Sequence, residues 1–131
     1  MDTFTRSYVE AALWSSTDDA DGRGGEPLDA NYSPPDIAPD TLVKIVDDCL
    51  AFQRDNAAHI GGDFGRAGHD FWLTRNHHGA GFWDGDWPDD AGERLTDASH
   101  AVGEYGLHVG DDGLVHGYAQ SRAACPTGGA R

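Results

Sequence analysis

The stretch that most constrains the fold is residues 68–84, which hold two of the five Phe, two of the four Trp and three of the seven His. Two glycines inside this stretch, Gly79 and Gly81, would each disfavour the interior of a helix. Short aromatic segments bounded by turn residues instead favour strands. The sequence therefore predicts one strand over residues 71–75 and a second strand over residues 80–84.

The loop between these strands decides which side chains share a face. It would comprise residues 76–79, where the final Gly79 can adopt the left-handed conformation that follows a type I turn. Trp72 would then lie opposite Trp83 on one face of an apolar hairpin. Either helices cover both faces of this hairpin, or the tryptophan face stays open as a contact surface.

Three helices are predicted from apolar residues that recur at helical spacing. The first carries a stripe with Phe4 and Tyr8, and the second begins at Pro39, a residue suited to a first helical turn. Gly61 would stop the second helix, and Gly106 would cap the third. The predicted helices cover residues 4–15, 39–58 and 89–105.

A second hairpin is predicted where residues 107–109 and 114–116 flank the turn sequence GDDG. The resulting order is α-α-β-β-α-β-β, for which a mostly antiparallel sheet packed with helices is the natural layering. We therefore expect a single α+β domain over residues 1–118. It would contain an acidic loop at residues 16–36 and be followed by a flexible C-terminal tail at residues 119–131.

The charge of the chain is strongly negative, with 23 acidic residues against 9 basic residues and a net charge of −14 at pH 7. Such a surface repels nucleic acid and anionic lipid, so we expect no direct nucleic-acid binding and no membrane association. The same charge favours solubility, a protein partner with a basic surface, or mimicry of a polyanion.

The remaining composition indicates a cytoplasmic protein without a cofactor. No apolar run approaches the roughly 20 residues of a membrane span, and the first residues lack the basic and apolar parts of a signal peptide. Cys49 and Cys125 have neither a zinc-ligand spacing nor a disulfide framework, so both are predicted to be free thiols.

Several blocks of the sequence resemble one family. Residues 67–76 and 78–84, AGHDFWLTRN and HGAGFWD, are similar to a family of small uncharacterised proteins of tailed bacteriophages and prophages. The likeness extends from about Tyr8 to Gly113, with one departure at His77, where the family pattern has Gly. The resemblance implies a phage origin and the cytoplasm of a host cell, and it implies no particular activity. Further similar blocks are residues 12–19, 26–32 and 109–113.

The central stretch contains imidazole and carboxylate groups that could bind a metal such as zinc, iron or manganese. The candidate ligands are His69, His78 and Asp84, with His77, Asp70 and Asp86 nearby. Their spacing matches no known ligand pattern, so no metal is predicted.

A catalytic interpretation would use His78 as a general base and Arg75 to hold an anionic substrate. No nucleophile motif or phosphate-binding loop accompanies them. The simpler interpretation is a polar turn in which both side chains form hydrogen bonds with the loop backbone.

We expect this chain to act by binding rather than by catalysis. Trp72 and Trp83 have the composition of a protein-contact hot spot. The partner would be a host or phage protein with a basic surface, and binding would inhibit a host enzyme or defence system. The alternative is a small enzyme or small-molecule or metal-binding protein that uses the same cluster. The polar rim of the predicted surface consists of Arg75, His78, Asp84 and Asp86.

Overall fold

A computed structural model of the chain describes residues 1–17, 26–77, 81–82, 87–88 and 90–119. Its helices are α1 (Thr3–Ser15), α2 (Pro39–Ile60), α3 (Phe64–Arg75) and α4 (Ala91–Val102), and its antiparallel strands are β1 (Tyr105–Val109) and β2 (Val115–Ala119). Two short 3-10 turns, Leu28–Ala30 and Pro34–Asp36, lie between α1 and α2. The α+β class, with helices packed around an antiparallel sheet, is confirmed. Within the described ranges, none of the helices has the length and hydropathy needed for a membrane span.

The first two helices begin and end close to their predicted bounds. The Asp2 carboxylate caps α1 by accepting a hydrogen bond from the Thr5 N–H at 2.8 Å. Helix α2 starts at Pro39 and ends at Gly61, whose φ of 65° is the left-handed conformation that favours glycine. Local signals suffice here because the apolar stripe, the start and the stop agree.

The predicted central hairpin is wrong, because residues 71–75 lie in helix α3. Gly81 and Phe82 belong to a turn, and residues 80, 83 and 84 lie outside the described residues. Gly68 lies in the interior of this helix for a packing reason. A Cβ at that position would overlap the Phe4 carbonyl, so α1 and α3 can cross this closely only without a side chain there. Nearly all sides of the second half of α3 are buried, which removes the polar face that would have revealed a helical period.

The third predicted helix is shorter than expected, and Gly106 does not cap it. Helix α4 ends at Gly103, which has a φ of 94°. Tyr105 and Gly106 instead belong to β1, where the Tyr105 N–H donates to Asn76 Oδ1 at 2.9 Å. The second predicted hairpin is confirmed, with Val109 paired with Val115 beside the turn.

Helix α3 lies at the centre of the core. Its Phe71 ring stacks on the Phe52 ring of α2 with centroids 4.1 Å apart, and it also contacts the Phe4 and Tyr8 rings of α1. Burial of each large apolar side chain contributes about 1.5–3 kcal/mol. This aromatic cluster is therefore the main source of tertiary stability around α3.

The sheet attaches to the helices along one of its edges. The Gly117 N–H of β2 donates to Thr41 Oγ1 at 3.0 Å, and the Val115 carbonyl accepts from the Ala38 N–H at 2.8 Å. The start of α2 therefore covers the outer edge of β2. The predicted tail beyond residue 119 and residues 18–25 of the predicted acidic loop lie outside the described residues.

Candidate functional site

Arg75 is a buried cation rather than a surface group. Its side chain is 2% exposed, and its Nε donates to the Gly103 carbonyl at 2.8 Å. Its Nη1 donates to the Tyr8 hydroxyl at 2.9 Å and to Asp48 Oδ2 at 3.0 Å. One guanidinium therefore joins α1, α2, α3 and the segment that follows α4.

Two aromatic rings flank this guanidinium. The Arg75 Cζ lies 5.4 Å from the Phe71 ring centroid and 5.3 Å from that of Tyr105, within the range of cation–π attraction. Burial raises the pKa of Tyr8 well above its usual value, so the phenol that accepts from Arg75 stays neutral near pH 7. Because its side chain is buried and its Nε and Nη1 donate to groups inside the protein, Arg75 is not placed to hold an anionic substrate or to contact a partner. Both predicted roles are corrected here.

Trp72 is also buried, with 2% of its surface exposed. Its indole Nε1 donates to Ser15 Oγ at 2.7 Å, and its ring packs edge-on against Tyr8. Trp72 therefore cannot belong to an exposed hot spot, and this part of the predicted contact surface is also wrong. The physical reason is its position on a helix whose side chains face α1.

The other polar side chains of α3 likewise serve the fold. Asp70 Oδ2 accepts from Trp87 Nε1 at 2.9 Å, and Thr74 Oγ1 accepts from the Phe82 N–H at 3.1 Å. Asn76 follows the helix and bridges it to β1, since its Nδ2 also donates to the Trp72 carbonyl at 3.1 Å. The distinctive central block is thus explained by internal hydrogen bonds. We name Asp70, Trp72, Thr74, Arg75 and Asn76 the α3 polar set.

The predicted metal ligands are only partly described. His69 is half-exposed and its Nδ1 lies 3.1 Å from Asp70 Oδ1, while His78, Trp83, Asp84 and Asp86 lie outside the described residues. Across the described ranges, no group of three His, Cys, Asp or Glu side chains is arranged to hold a metal ion.

His77 has a positive φ of 59°, a conformation that glycine adopts readily. Its ring stacks on that of His100 with centroids 4.3 Å apart, and its Nε2 lies 3.6 Å from Glu104 Oε2. Contacts on both sides of the imidazole hold this residue in a conformation that side chains rarely adopt.

The basic side chains are largely neutralised within the molecule. Five of those in the described residues lie within 4.0 Å of a carboxylate, namely Lys44, Arg54, Arg66, Arg75 and Arg94. The chain carries more than twice as many acidic as basic residues, so the remaining carboxylates dominate the surface potential.

A polar pocket of about 340 Å³ opens between the end of α1 and strand β1. Ser16 and Thr17 form one wall, and Tyr105, Gly106 and Leu107 form the opposite wall. The half-exposed Tyr118 also lines it. The sequence analysis did not predict this pocket. The predicted hairpin was a signal for it, because a two-stranded sheet has two outer edges and an edge that no other element covers is left open.

Strand β1 turns one edge toward this pocket. The Gly110 N–H donates to the Leu114 carbonyl at 2.8 Å. Because hydrogen-bonded and non-hydrogen-bonded pairs alternate along an antiparallel ladder, His108 and His116, two residues further along, also form a hydrogen-bonded pair. The N–H and C=O groups of Leu107 and Val109, with the Tyr105 carbonyl, therefore point away from β2. We call these groups the free β1 edge. Among the described residues, no backbone donor or acceptor pairs with them.

No protein-family model, curated protein or solved structure matches this chain. The geometry of the α3 polar set, the surface charge and the free β1 edge therefore carry the functional inference.

Proposed function

We propose that this protein acts by binding another protein whose surface is basic. The observation that carries the proposal is the imbalance of surface charge: the described basic groups named above have carboxylate partners, whereas the chain retains a net charge of −14. Complementary charge speeds the encounter of two proteins and disfavours acidic competitors.

The use of the α3 polar set supports binding over catalysis. Arg75, the one catalytic candidate in the described residues, is buried and has its Nε and Nη1 donors occupied by Gly103, Tyr8 and Asp48. A group that is to hold a substrate anion needs donors that are accessible to that anion. The predicted contact residues Trp83, His78, Asp84 and Asp86 lie outside the described residues and remain predictions.

The resemblance to phage and prophage proteins suggests the setting. We place the protein in the cytoplasm of an infected or lysogenic bacterium, where its partner is a host or phage protein, and we propose that binding inhibits a host enzyme or defence system. Its negative surface disfavours direct contact with nucleic acid and anionic membranes.

Affinity capture from a bacterial lysate tests this proposal. The tagged wild type is compared with a variant in which Glu10→Gln, Glu104→Gln and Asp111→Asn remove three carboxylates, and captured proteins are identified by mass spectrometry. We expect a basic protein to be retained at about 50 mM salt and lost by about 500 mM, because salt screens exposed charges.

Circular dichroism and thermal unfolding establish that the neutralised variant is folded before it is used. A captured partner that is acidic, or one that the variant and the wild type hold equally at all salt concentrations, would contradict the proposed function. Trp83→Ala in the same assay tests whether the predicted tryptophan contact contributes.

A further inference from the structure

We propose that the free β1 edge is a docking site for an extended, Lys- or Arg-bearing segment of the basic partner, which adds a third strand to the sheet. This inference rests on the proposed function and specifies where and how the partner binds. An open strand edge presents a row of unpaired N–H and C=O groups that a peptide can match, while neighbouring pockets select its side chains.

The two edges of the sheet are treated differently by the fold. The outer edge of β2 is occupied, since Gly117 donates to Thr41 Oγ1 and Val115 accepts from Ala38. On β1, the Tyr105 N–H donates to Asn76 Oδ1. Leu107 lines the pocket, and its backbone groups that point away from β2 have no backbone partner among the described residues. The pairing site therefore begins beside Tyr105 and continues toward Val109.

The pocket provides the space and the side-chain contacts that a docked strand needs. Its volume of about 340 Å³ lies between Leu107 and the hydroxyl-bearing residues Ser16 and Thr17. Tyr118 is 45% exposed at the rim and can pack against the aliphatic stem of a Lys or Arg.

Charge selects a cationic segment. None of the residues that line the pocket is Lys or Arg, and Glu104 among them is acidic. Glu104 immediately precedes β1, and Asp111 and Asp112 follow β1 after Gly110, so acidic groups stand at both ends of the free edge. The nearby cation Arg75 is buried and paired with Asp48.

A designed peptide provides the direct test. The probe is the heptapeptide Lys-Val-Lys-Val-Lys-Val-Lys with blocked ends, and its control is the same peptide N-methylated at every residue, which removes the N–H groups from both edges. Titration into isotope-labelled full-length protein is followed by amide chemical shifts and by hydrogen exchange. We expect the probe to bind saturably and the N-methylated control not to bind, and the Leu107 amide should exchange at least about tenfold more slowly in the complex with the probe.

A charge variant and its matched control locate the cationic contact. Glu104→Gln lies at the start of the free edge, whereas Glu93→Gln removes an exposed carboxylate in the first turn of α4. We expect Glu104→Gln to weaken binding of the heptapeptide by about threefold or more at low salt, with no change for Glu93→Gln.

The inference would be overturned if the heptapeptide did not bind at about 1 mM, or if it bound and left the exchange rate of the Leu107 amide unchanged. It would also be overturned if protection of the Leu107 amide in the free protein increased with protein concentration, because this would indicate pairing with a second copy. If a basic partner were captured from lysate but did not protect the Leu107 amide, the docking site would be wrong and the proposed function would stand. Failure to capture any basic protein would instead remove the proposed function.

Discussion

Helix α3 and the β1–β2 hairpin use their polar groups in opposite ways. The α3 polar set forms hydrogen bonds with α1, α2, β1, the turn at Phe82 and the segment that follows α4. Arg75 alone joins α1, α2 and the segment that follows α4. Within the described residues, the hairpin instead leaves the Leu107 backbone without a backbone partner beside a pocket. The described part of the most distinctive block therefore maintains the fold, whereas the less conspicuous hairpin keeps the backbone groups that we propose for a partner.

The largest expected effect comes from removing the buried cation of α3. Arg75→Met would leave the Tyr8 hydroxyl, the Gly103 carbonyl and Asp48 Oδ2 without the Arg75 donor, while Lys44 still donates to Asp48 Oδ1. The expected cost is about 3 kcal/mol in unfolding free energy. Chemical denaturation measures this loss. Arg54→Met is the matched control, because its pair with Asp55 is exposed to solvent and should contribute little to the unfolding free energy. Equal losses in the two variants would show that Arg75 does not join the helices.

A second, smaller effect tests the close crossing of α1 and α3. Gly68→Ala would push a methyl group into the Phe4 carbonyl and should destabilise the fold by about 1–3 kcal/mol. Gly65→Ala on the same helix meets its nearest neighbour, Ser7 Oγ, at an ordinary 3.5 Å. It should therefore stabilise the helix by up to about 1 kcal/mol. Thermal unfolding of both variants checks the opposite signs, and destabilisation by both would refute the proposed crossing.

These two glycines also show what the sequence could and could not reveal. Helices α1 and α2 and the β1–β2 hairpin were predictable, because each has a local stripe or turn signal that matches its own boundaries. Helix α3 was not, since Gly68 is explained only by the distant Phe4 backbone, and the apolar run around Phe71 contacts neighbours on nearly every side. The burial of Trp72 and Arg75 follows from that missed helix.

The third prediction separates fold from binding at Trp72. Trp72→Phe keeps an aromatic ring but loses the donor to Ser15 Oγ, which should lower the unfolding free energy by about 1 kcal/mol. Partner capture by the folded variant should stay within about twofold of the wild type, since the ring is not at the surface. Loss of capture without loss of stability would restore Trp72 to the contact surface.

The smallest expected effect concerns the hairpin turn and pH. The Leu114 N–H and then His116 hold the pKa of Asp112 below its usual value. The charged Asp112 therefore stabilises the fold above its unfolded pKa, near 3.8, and this contribution is lost as pH falls through the lower folded value. Asp112→Asn retains an acceptor without the titration, so unfolding free energies measured from about pH 5 to pH 2 should change less steeply than in the wild type. Identical profiles would show that this carboxylate does not contribute.

Amide hydrogen exchange of the free, full-length protein tests most directly the claim that α3 maintains the fold while β1 keeps an edge for a partner. The buried amides of α3 should exchange only through global unfolding, and the Leu107 amide should exchange much faster than that of His108, which pairs with His116 on the adjacent strand. A Leu107 amide protected as strongly as His108 at every protein concentration would contradict this claim, because the edge would already be closed by the chain itself.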